Sequence, residues 1–232
     1  QRGEVVPVRR APAKRQQLWR DIGVVPRGVD REVVEALHRT HIGDDQDPEH
    51  ILRHAIRTGL ADGWGGSMIA TDIADILFGT PAPILGQANL GVLKEDMVNV
   101  IVHGHEPTLS QMIVAATQDP EIIEYAHKAG AKGVNLAGIC CTANEILMRQ
   151  GVPAAGNFLH QELSILTGAV ESMVVDVQCI MQALVDLSSN FHTKIITTSP
   201  KVKIKGATHI QFDEHKALTT AKQILKTAID NY

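Results

Sequence analysis

Apolar residues recur every three to four positions in the first third of the chain, which is the spacing of an amphipathic helix. Three such stretches predict helices over residues 29–43, 47–63 and 65–79. The second has the clearest start, because Asp47 can cap a helix and Pro48 suits its first turn. A loop rich in Pro and Gly follows over residues 79–91. This part of the sequence therefore predicts an all-helical segment.

After about residue 95 the pattern changes to short apolar runs rich in β-branched residues, which are typical of buried strands. Such runs predict strands over residues 97–104, 132–139, 152–157, 171–178, 193–199 and 207–213. Amphipathic stretches predict helices over residues 107–118, 119–130, 142–151, 158–169, 180–191 and 214–232. Strands that alternate with helices form right-handed crossover units. We therefore predict an α/β fold, a doubly wound parallel (Rossmann-like) sheet preceded by a short helical segment.

The same pattern divides the chain into three segments. Residues 1–17 are basic, contain proline and show no period, so we interpret them as an arm or a truncated end. Residues 18–94 form the helical segment, and residues 95–232 form the Rossmann-like α/β domain. We expect that domain to carry the functional site, because ligands bind beyond the carboxyl ends of parallel strands.

Composition narrows the classes of function. A net charge of −4 and an aromatic content of 3% provide neither the basic stripe nor the stacking platforms that nucleic-acid binding needs. No run approaches the apolar length of a membrane span, and the first residues lack the apolar core of a secretory signal. With only three cysteines and no signal, we expect a cytoplasmic protein. No glycine-rich loop has the spacing of a nucleotide-binding cradle.

Thiols and histidines directly follow three of the predicted strands. His103 and His105 follow VNVIV, Cys140 and Cys141 follow VNLAGI, and Cys179 follows MVVDVQ. We expect these side chains at one rim, because the carboxyl ends of parallel strands share one edge of the sheet. Thiolate and imidazole together suit zinc, copper, nickel or iron–sulfur chemistry, and they argue against magnesium or calcium.

Other interpretations of these residues stay open. Ligands spread over three loops are unlike the paired C-x-x-C motifs of a zinc finger or a thioredoxin-type site. A cysteine nucleophile with His105 as its base is an alternative, although it does not explain thiols in two loops. Each cysteine could also be a small buried hydrophobe, since free cysteine is among the most buried residue types.

The remaining polar candidates are weaker. Asp62 precedes the sequence GWGG, and the sequence indicates an ordinary residue near a helix end. A functional role for Asp62 needs support from a further observation. The other histidines are expected to face water or a polar seam, because most lie on predicted helices. They are His38, His41, His50, His54, His127, His160, His192, His209 and His215.

A series of longer motifs carries a specific resemblance. In chain order these are LWRDIGVVPRGVDREVVEALHRTHIG, LADGWGGSMIATDIADILFGTP, ANLGVLKEDMVNVIVHGHEP, GICCTANE, GNFLHQELSILTGAVESMVVDVQCIM and GATHIQF. The likeness runs, in order, over almost all of residues 18–232. This series resembles the catalytic subunit of the anaerobic, nickel-dependent carbon monoxide dehydrogenases.

The resemblance implies a cofactor and roles for particular residues. The cofactor would be a nickel–iron–sulfur cluster, with His105 and Cys141 on its pendant iron and Cys179 on another iron. Cys140 would be a neighbour that packs rather than a ligand. Asp62 would be an acid near the iron that binds water.

The resemblance also implies an activity and partners. Enzymes of this family are homodimers that oxidise CO with water to CO2, two protons and two electrons, and a ferredoxin-like protein would accept the electrons. Further iron–sulfur clusters belong to parts of the parent enzyme that this chain does not match.

The family's subunit is far longer than this chain. A cysteine-rich helical domain precedes the matching region, and a second α/β domain follows it with three further cysteine ligands and a catalytic lysine. The chain therefore corresponds to a middle segment, which we expect to be incomplete and inactive alone. The alternatives are a non-catalytic metal-binding or interaction module derived from that family, or a hybrid-cluster-type oxidoreductase.

Overall fold

The computed structural model describes residues 10–232, which fall into two compact units. The first unit is Gln1–Gly79 and the second is Thr80–Tyr232. Residues 80–94, which the sequence pattern joins to the helical segment, belong here to the second unit. The reason is local pairing, because the amide of Ala154 donates to the carbonyl of Gln87 at 2.9 Å and Ala88 forms a parallel bridge with Ala154.

The predicted arm is only partly described. Residues 1–9 lie outside the described residues, but a helix begins at Ala13, so the second part of the predicted arm over 1–17 is helical. Trp19 of this helix is buried in a small apolar cluster, and its ring centroid lies 6.0 Å from that of Trp64. Burial of this large side chain anchors a helix in which most of the other residues are polar.

Four α-helices form the described part of the first unit. They are α1 Ala13–Asp21, α2 Val29–Leu37, α3 Pro48–Ala61 and α4 Ser67–Phe78. The prediction for α3 is confirmed in detail, because the Asp47 carboxylate accepts hydrogen bonds from the amides of Glu49 and His50. π-Helical turns at His38–Ile42 and Asp62–Gly66 follow α2 and α3.

The second unit alternates strands with helices. Its strands are β1 Val98–His103, β2 Val134–Ile139, β3 Ala154–Gly156, β4 Ser172–Val175, β5 Lys194–Thr197 and β6 Thr208–His209. Its α-helices are α5 Pro107–Thr117, α6 Pro120–Lys128, α7 Cys140–Gln150, α8 Gln161–Leu166, α9 Ala183–Ser188 and α10 Ala217–Ile229. Within the described residues, no helix is both long and apolar enough to cross a bilayer.

The strands form one parallel sheet in the order β3-β2-β1-β4-β5-β6, which confirms the predicted doubly wound fold. β1 is buried along its whole length and has a hydrophobic core on each side. Val98, Val100 and Val102 join one core with residues of α5, α6, α7 and α10. Ile101 joins the other core with Met173 of β4. Alternate side chains of β1 thus enter the two cores, so both faces of the sheet are covered, as a parallel sheet requires.

All six strands are shorter than the sequence predicts, and β4 and β6 are shortened most. β4 ends at Val175 instead of residue 178, because Gln178 and Cys179 have φ angles of 62° and 54°, which lie far from extended backbone. β6 has only two residues of the predicted 207–213, since it pairs with the edge of β5 through Thr208 and His209 alone. The early end of β4 makes room for a tight turn that carries Cys179.

Candidate metal centre

The three loops that carry thiols and His105 leave neighbouring strands at the same edge of the sheet. His103 at the end of β1 pairs in register with Ile139 at the end of β2 and with Val175 at the end of β4. The next residues along each chain segment are Gly104, Cys140 and Asp176. The expected convergence at one rim is therefore built into the strand order β2-β1-β4.

Backbone hydrogen bonds join these loops directly. The segment after β2 is the first turn of α7, which begins at Cys140 rather than at the predicted residue 142, and it is counted here as one of the three loops. The Thr142 amide donates to the carbonyl of Gly104 at 2.9 Å, which ties this turn to the loop after β1. The Asp176 amide donates to the carbonyl of His103 at 3.2 Å, which ties the loop after β4 to the same place. The three loops thus form one connected surface rather than three independent ends.

His105 is held in the tautomer that suits a metal ligand. Its Nδ1 lies 3.2 Å from the carbonyl oxygen of Val177, which can only accept a hydrogen bond. Nδ1 therefore carries the proton, and Nε2 keeps its lone pair. A carbonyl partner of this kind commonly orients the imidazole of a metal-binding histidine.

The three cysteines differ in exposure. Cys141 and Cys179 are exposed, whereas Cys140 is half-buried and packs against the core that contains Ile139. The buried-hydrophobe interpretation therefore fits Cys140 and does not fit the other two. Cys140 has a φ of 65° and Cys179 a φ of 54°, conformations that cost about 1–3 kcal/mol for residues with a Cβ. Strained backbone of this kind is concentrated at binding sites.

The thiols influence one another electrostatically. Burial, followed by the charge of Cys179, raises the pKa of Cys140 to about 11. Burial and then Cys179 also raise the pKa of Cys141. Thiols with raised pKa values are poor nucleophiles at neutral pH, which argues against Cys140 or Cys141 as the nucleophile of a cysteine-based reaction. A bound cation would favour their thiolate forms, so the donor set fits a metal group.

The types of donor at this rim decide which metal groups the residues suit. Among the described residues, the ligand atoms of His105, Cys141 and Cys179 do not form a group within 4.8 Å of one another. Thiolate and imidazole are soft and borderline donors of the kind that nickel and iron–sulfur groups take. By donor chemistry, the residues present therefore fit part of a cluster shell.

Gln161 of α8 forms hydrogen bonds with residues of this rim, and the sequence analysis did not single it out. It is fully buried, and its Oε1 accepts from His103 Nε2 at 3.1 Å and from the Met181 amide at 3.3 Å. Its Nε2 donates to the carbonyls of Phe158 at 2.9 Å and Cys179 at 3.5 Å. Burial lowers the pKa of His103, which keeps that ring neutral. Gln161 therefore connects the end of β1 to the turn that carries Cys179.

Gln161→Leu is expected to lower the free energy of unfolding by about 2–4 kcal/mol, because leucine leaves several buried polar groups without partners. Urea denaturation of the two proteins measures the difference. Gln118→Leu, at an exposed position on the same unit, is the control and should change stability by less than about 0.5 kcal/mol. Equal losses in the two variants would contradict the structural role of Gln161.

Asp62 lies in the first unit, where it is exposed and begins the π-helical turn Asp62–Gly66. The proposed ligands lie in the second unit. Its role as an acid near the metal therefore stays a proposal that rests on the resemblance.

His54 was expected to face water or a polar seam, and the structure places it in a polar seam. Only 3% of its side chain is exposed, so it does not face water. Its Nε2 lies 3.1 Å from both the carbonyl oxygen and Oε2 of Glu32. The spacing of Glu32 and Glu35 on α2, one turn apart and opposite His54 and Arg57 on α3, is the signal that could have indicated this pairing.

Glu32, Glu35 and His54 form the one group of three potential metal ligands with donor atoms within 4.8 Å in residues 10–232. Guanidinium groups already form ion pairs with these carboxylates. Arg27 Nε lies 3.1 Å from Glu32, and Arg57 Nε lies 3.2 Å from it. The group is therefore an ion-pair network that repels a further cation.

Comparison with known proteins agrees with this geometry. Residues 3–232 match the sequence model of the Prismane/CO dehydrogenase family. The chain is 59% identical to "Carbon monoxide dehydrogenase 1" of Methanosarcina mazei over 232 residues, covering 100% of this chain and 37% of that protein. It is 49% identical to "Carbon monoxide dehydrogenase 1" of Carboxydothermus hydrogenoformans over 221 residues, covering 95% of this chain and 34% of that protein.

A solved structure extends the likeness to three dimensions. The Ni-free carbon monoxide dehydrogenase of Thermococcus sp. AM4 matches with a TM-score of 0.92 and 58% identity, covering 97% of this chain and 36% of that one. The chain thus spans little more than a third of the length of these relatives. The matched region includes the sheet and all three loops of the rim, and the chain belongs to the Prismane/CO dehydrogenase family.

Proposed function

We propose that this chain is the segment of a nickel–iron–sulfur carbon monoxide dehydrogenase that supplies part of the ligand shell of the active-site cluster. The observation that carries the proposal is the meeting of the loops with His105, Cys141 and Cys179 at one rim of the sheet. When bound, the cluster would supply the Lewis acidity and redox capacity for oxidising CO with water to CO2, two protons and two electrons.

The residues of this chain would hold that group and fix its orientation. His105 would offer Nε2, because its Nδ1 proton is directed to the carbonyl of Val177. Cys141 and Cys179 would offer thiolates from exposed positions. Cys140 would pack beside them, since it is half-buried against the core. These three donors make an incomplete shell, so the remaining ligands would come from other parts of the protein.

The wider setting follows from the same proposal. The parent protein would be a cytoplasmic homodimer that works under anaerobic conditions and passes electrons to a ferredoxin-like acceptor. Asp62 would act as an acid near the iron that binds water. The family match and the names of the relatives support the carbon monoxide dehydrogenase assignment. The dimer, the compartment, the electron acceptor and the role of Asp62 rest on the resemblance alone.

Alanine variants of the three cysteines test the proposal in the full-length natural polypeptide that carries these residues. Cys141→Ala and Cys179→Ala are each expected to weaken metal binding by roughly tenfold or more, since even changes beside a ligand commonly cost that much. Cys140→Ala is expected to keep its iron. Iron and nickel per protein, measured by elemental analysis after anaerobic purification, distinguish the variants.

The matched control is built into this set, because Cys140 and Cys141 are neighbours of the same type. Unchanged iron content in all three variants would contradict the proposed ligand set. Wild-type protein that holds a cluster but shows no CO-dependent dye reduction would instead favour the non-catalytic metal-binding module.

A further inference from the structure

Asp176 is a buried acid at the centre of the rim, and the proposed ligand set does not use it. It directly follows β4 and is only 4% exposed. Its Oδ1 accepts hydrogen bonds from the amide of His105 at 2.6 Å and from the amide of Val177. Its Oδ2 accepts from the Thr142 hydroxyl at 3.5 Å. A single carboxylate therefore contacts all three loops.

Each of these contacts lies on or beside a proposed ligand. His105 donates through its own backbone, Thr142 adjoins Cys141, and Val177 leads into the turn that carries Cys179. The carbonyl oxygen of Val177 also accepts a hydrogen bond from Nδ1 of the His105 ring. The carboxylate and the Val177 carbonyl thus hold His105 at both its backbone and its side chain.

The backbone of the β1 loop is shaped around this carboxylate. A Cβ on Gly104 would lie 1.8 Å from Asp176 Oδ1 and 2.5 Å from its Cγ, closer than any contact of such atoms allows. Gly104 also has a φ of 133°, which residues with a side chain rarely adopt. Glycine at this position therefore lets the acid approach the backbone directly.

We propose that Asp176 is a positioning residue that fixes the direction of the His105 imidazole relative to Cys141 and Cys179 by holding the backbone of the three loops. This inference rests on the proposed function for the identity of the ligands. It assigns the buried carboxylate a task that neither hydrophobic packing nor pairing with a cation explains, since its partners are amides and a hydroxyl.

The test uses Asp176→Ala and Asp176→Asn in the full-length natural polypeptide. The amides of His105 and Val177 donate hydrogen bonds to the Asp176 side chain, and these bonds protect the amides from exchange. Amide hydrogen exchange in the metal-free protein should therefore be about tenfold or more faster at those two sites in Asp176→Ala. Asp176→Asn keeps one acceptor oxygen and should lie between Asp176→Ala and wild type.

Glu171→Ala is the matched control, because Glu171 is a buried acid at the other end of the same strand. It accepts a hydrogen bond from the Asn99 amide and pairs with His192, away from the rim. The free energy of unfolding of Glu171→Ala should be lower than that of wild type. After correction of each protein for global unfolding, exchange at His105 and Val177 should be the same in Glu171→Ala as in wild type. Equal exchange at these amides in Asp176→Ala and Glu171→Ala would overturn the proposal.

A second measurement separates this inference from the proposed function. In the metal-loaded protein, Asp176→Ala should alter the Mössbauer signal of the histidine-bound iron, and Glu171→Ala should not. An unaltered signal in Asp176→Ala would overturn the positioning role. Wild-type protein without any cluster would contradict the proposed function and the proposed ligands, whereas the exchange experiment would still decide whether Asp176 holds the loops.

Discussion

Replacing Gly104 with alanine is expected to lower the free energy of unfolding by about 3 kcal/mol or more and to disrupt the rim. The φ of 133° alone costs a residue with a Cβ about 1–3 kcal/mol. The new methyl group would also lie 1.8 Å from Asp176 Oδ1 and 2.9 Å from the carbonyl oxygen of Val177. The carboxylate must then move, and each buried partner that it leaves costs about 1–3 kcal/mol. Urea denaturation measures the loss.

Gly130→Ala is the matched control for backbone strain without a collision. Gly130 has a φ of 97°, and nothing lies within 4 Å of the position that its Cβ would take. The free energy of unfolding of this variant should fall only by the cost of the backbone strain, about 1–2 kcal/mol. If Gly104→Ala lost no more than Gly130→Ala, the close approach of Asp176 to the backbone would have no energetic importance.

Glu32→Gln is expected to lower the free energy of unfolding by about 3–5 kcal/mol. The carboxylate is fully buried, and Arg27, Arg57 and His54 surround it. The amide would remove the buried counter-charge and leave Glu35 as the remaining carboxylate partner of Arg27 and Arg57. Breaking a buried ion pair from one side commonly costs this much. Chemical denaturation at neutral pH measures the effect.

The control for Glu32→Gln is an exposed pair in the same unit. Glu49 and Arg53 on α3 form an ion pair at 2.6 Å with both side chains more than half exposed. Glu49→Gln should change stability by less than about 1 kcal/mol, since water screens such pairs. A loss in Glu32→Gln as small as that in Glu49→Gln would contradict the buried network.

Glu32 also gives the stability of the protein an acid dependence. Burial alone would raise its pKa, but hydrogen bonds from Arg27 and Arg57 outweigh burial and lower the pKa to about 2. A carboxyl with a lowered pKa stabilises the fold above its unfolded pKa of about 4.5, and this stabilisation is lost as the pH falls towards 2. Between pH 5 and pH 2 wild-type stability should therefore decline more steeply than that of Glu32→Gln. Parallel declines would contradict the assignment.

The sequence predicts the sheet well because the information is local. The buried strands β1, β4 and β5 are rich in β-branched residues, and alternation with helices leaves a parallel doubly wound sheet as the expected topology. The rim follows from the same rule, which brings the loops of His105, Cys141 and Cys179 to one edge. The particular cluster and its ligand assignments come only from the resemblance, because thiols and imidazoles alone fit several metals.

What the sequence does not predict depends on non-local contacts. Asp176 lies in the run MVVDVQ and reads as a strand residue, since nothing nearby indicates the left-handed turn at Gln178 and Cys179. Gln161 looks like one polar position on a helix, although its partners come from the end of β1 and from the connection between β4 and α9. The burial of His54 is not predicted, because its partner, Glu32, lies on a different helix.

The strand order has a consequence for biosynthesis. β1 is made first but lies inside the sheet between β2 and β4, so the sheet grows outward on both sides as the ribosome proceeds. At about 5–20 residues per second, the ribosome reaches Cys179 roughly 4–15 s after His105. Until β4 emerges, the nascent chain has no surface that brings these donors together. Any factor that delivers metal to this rim must therefore act after translation has passed β4.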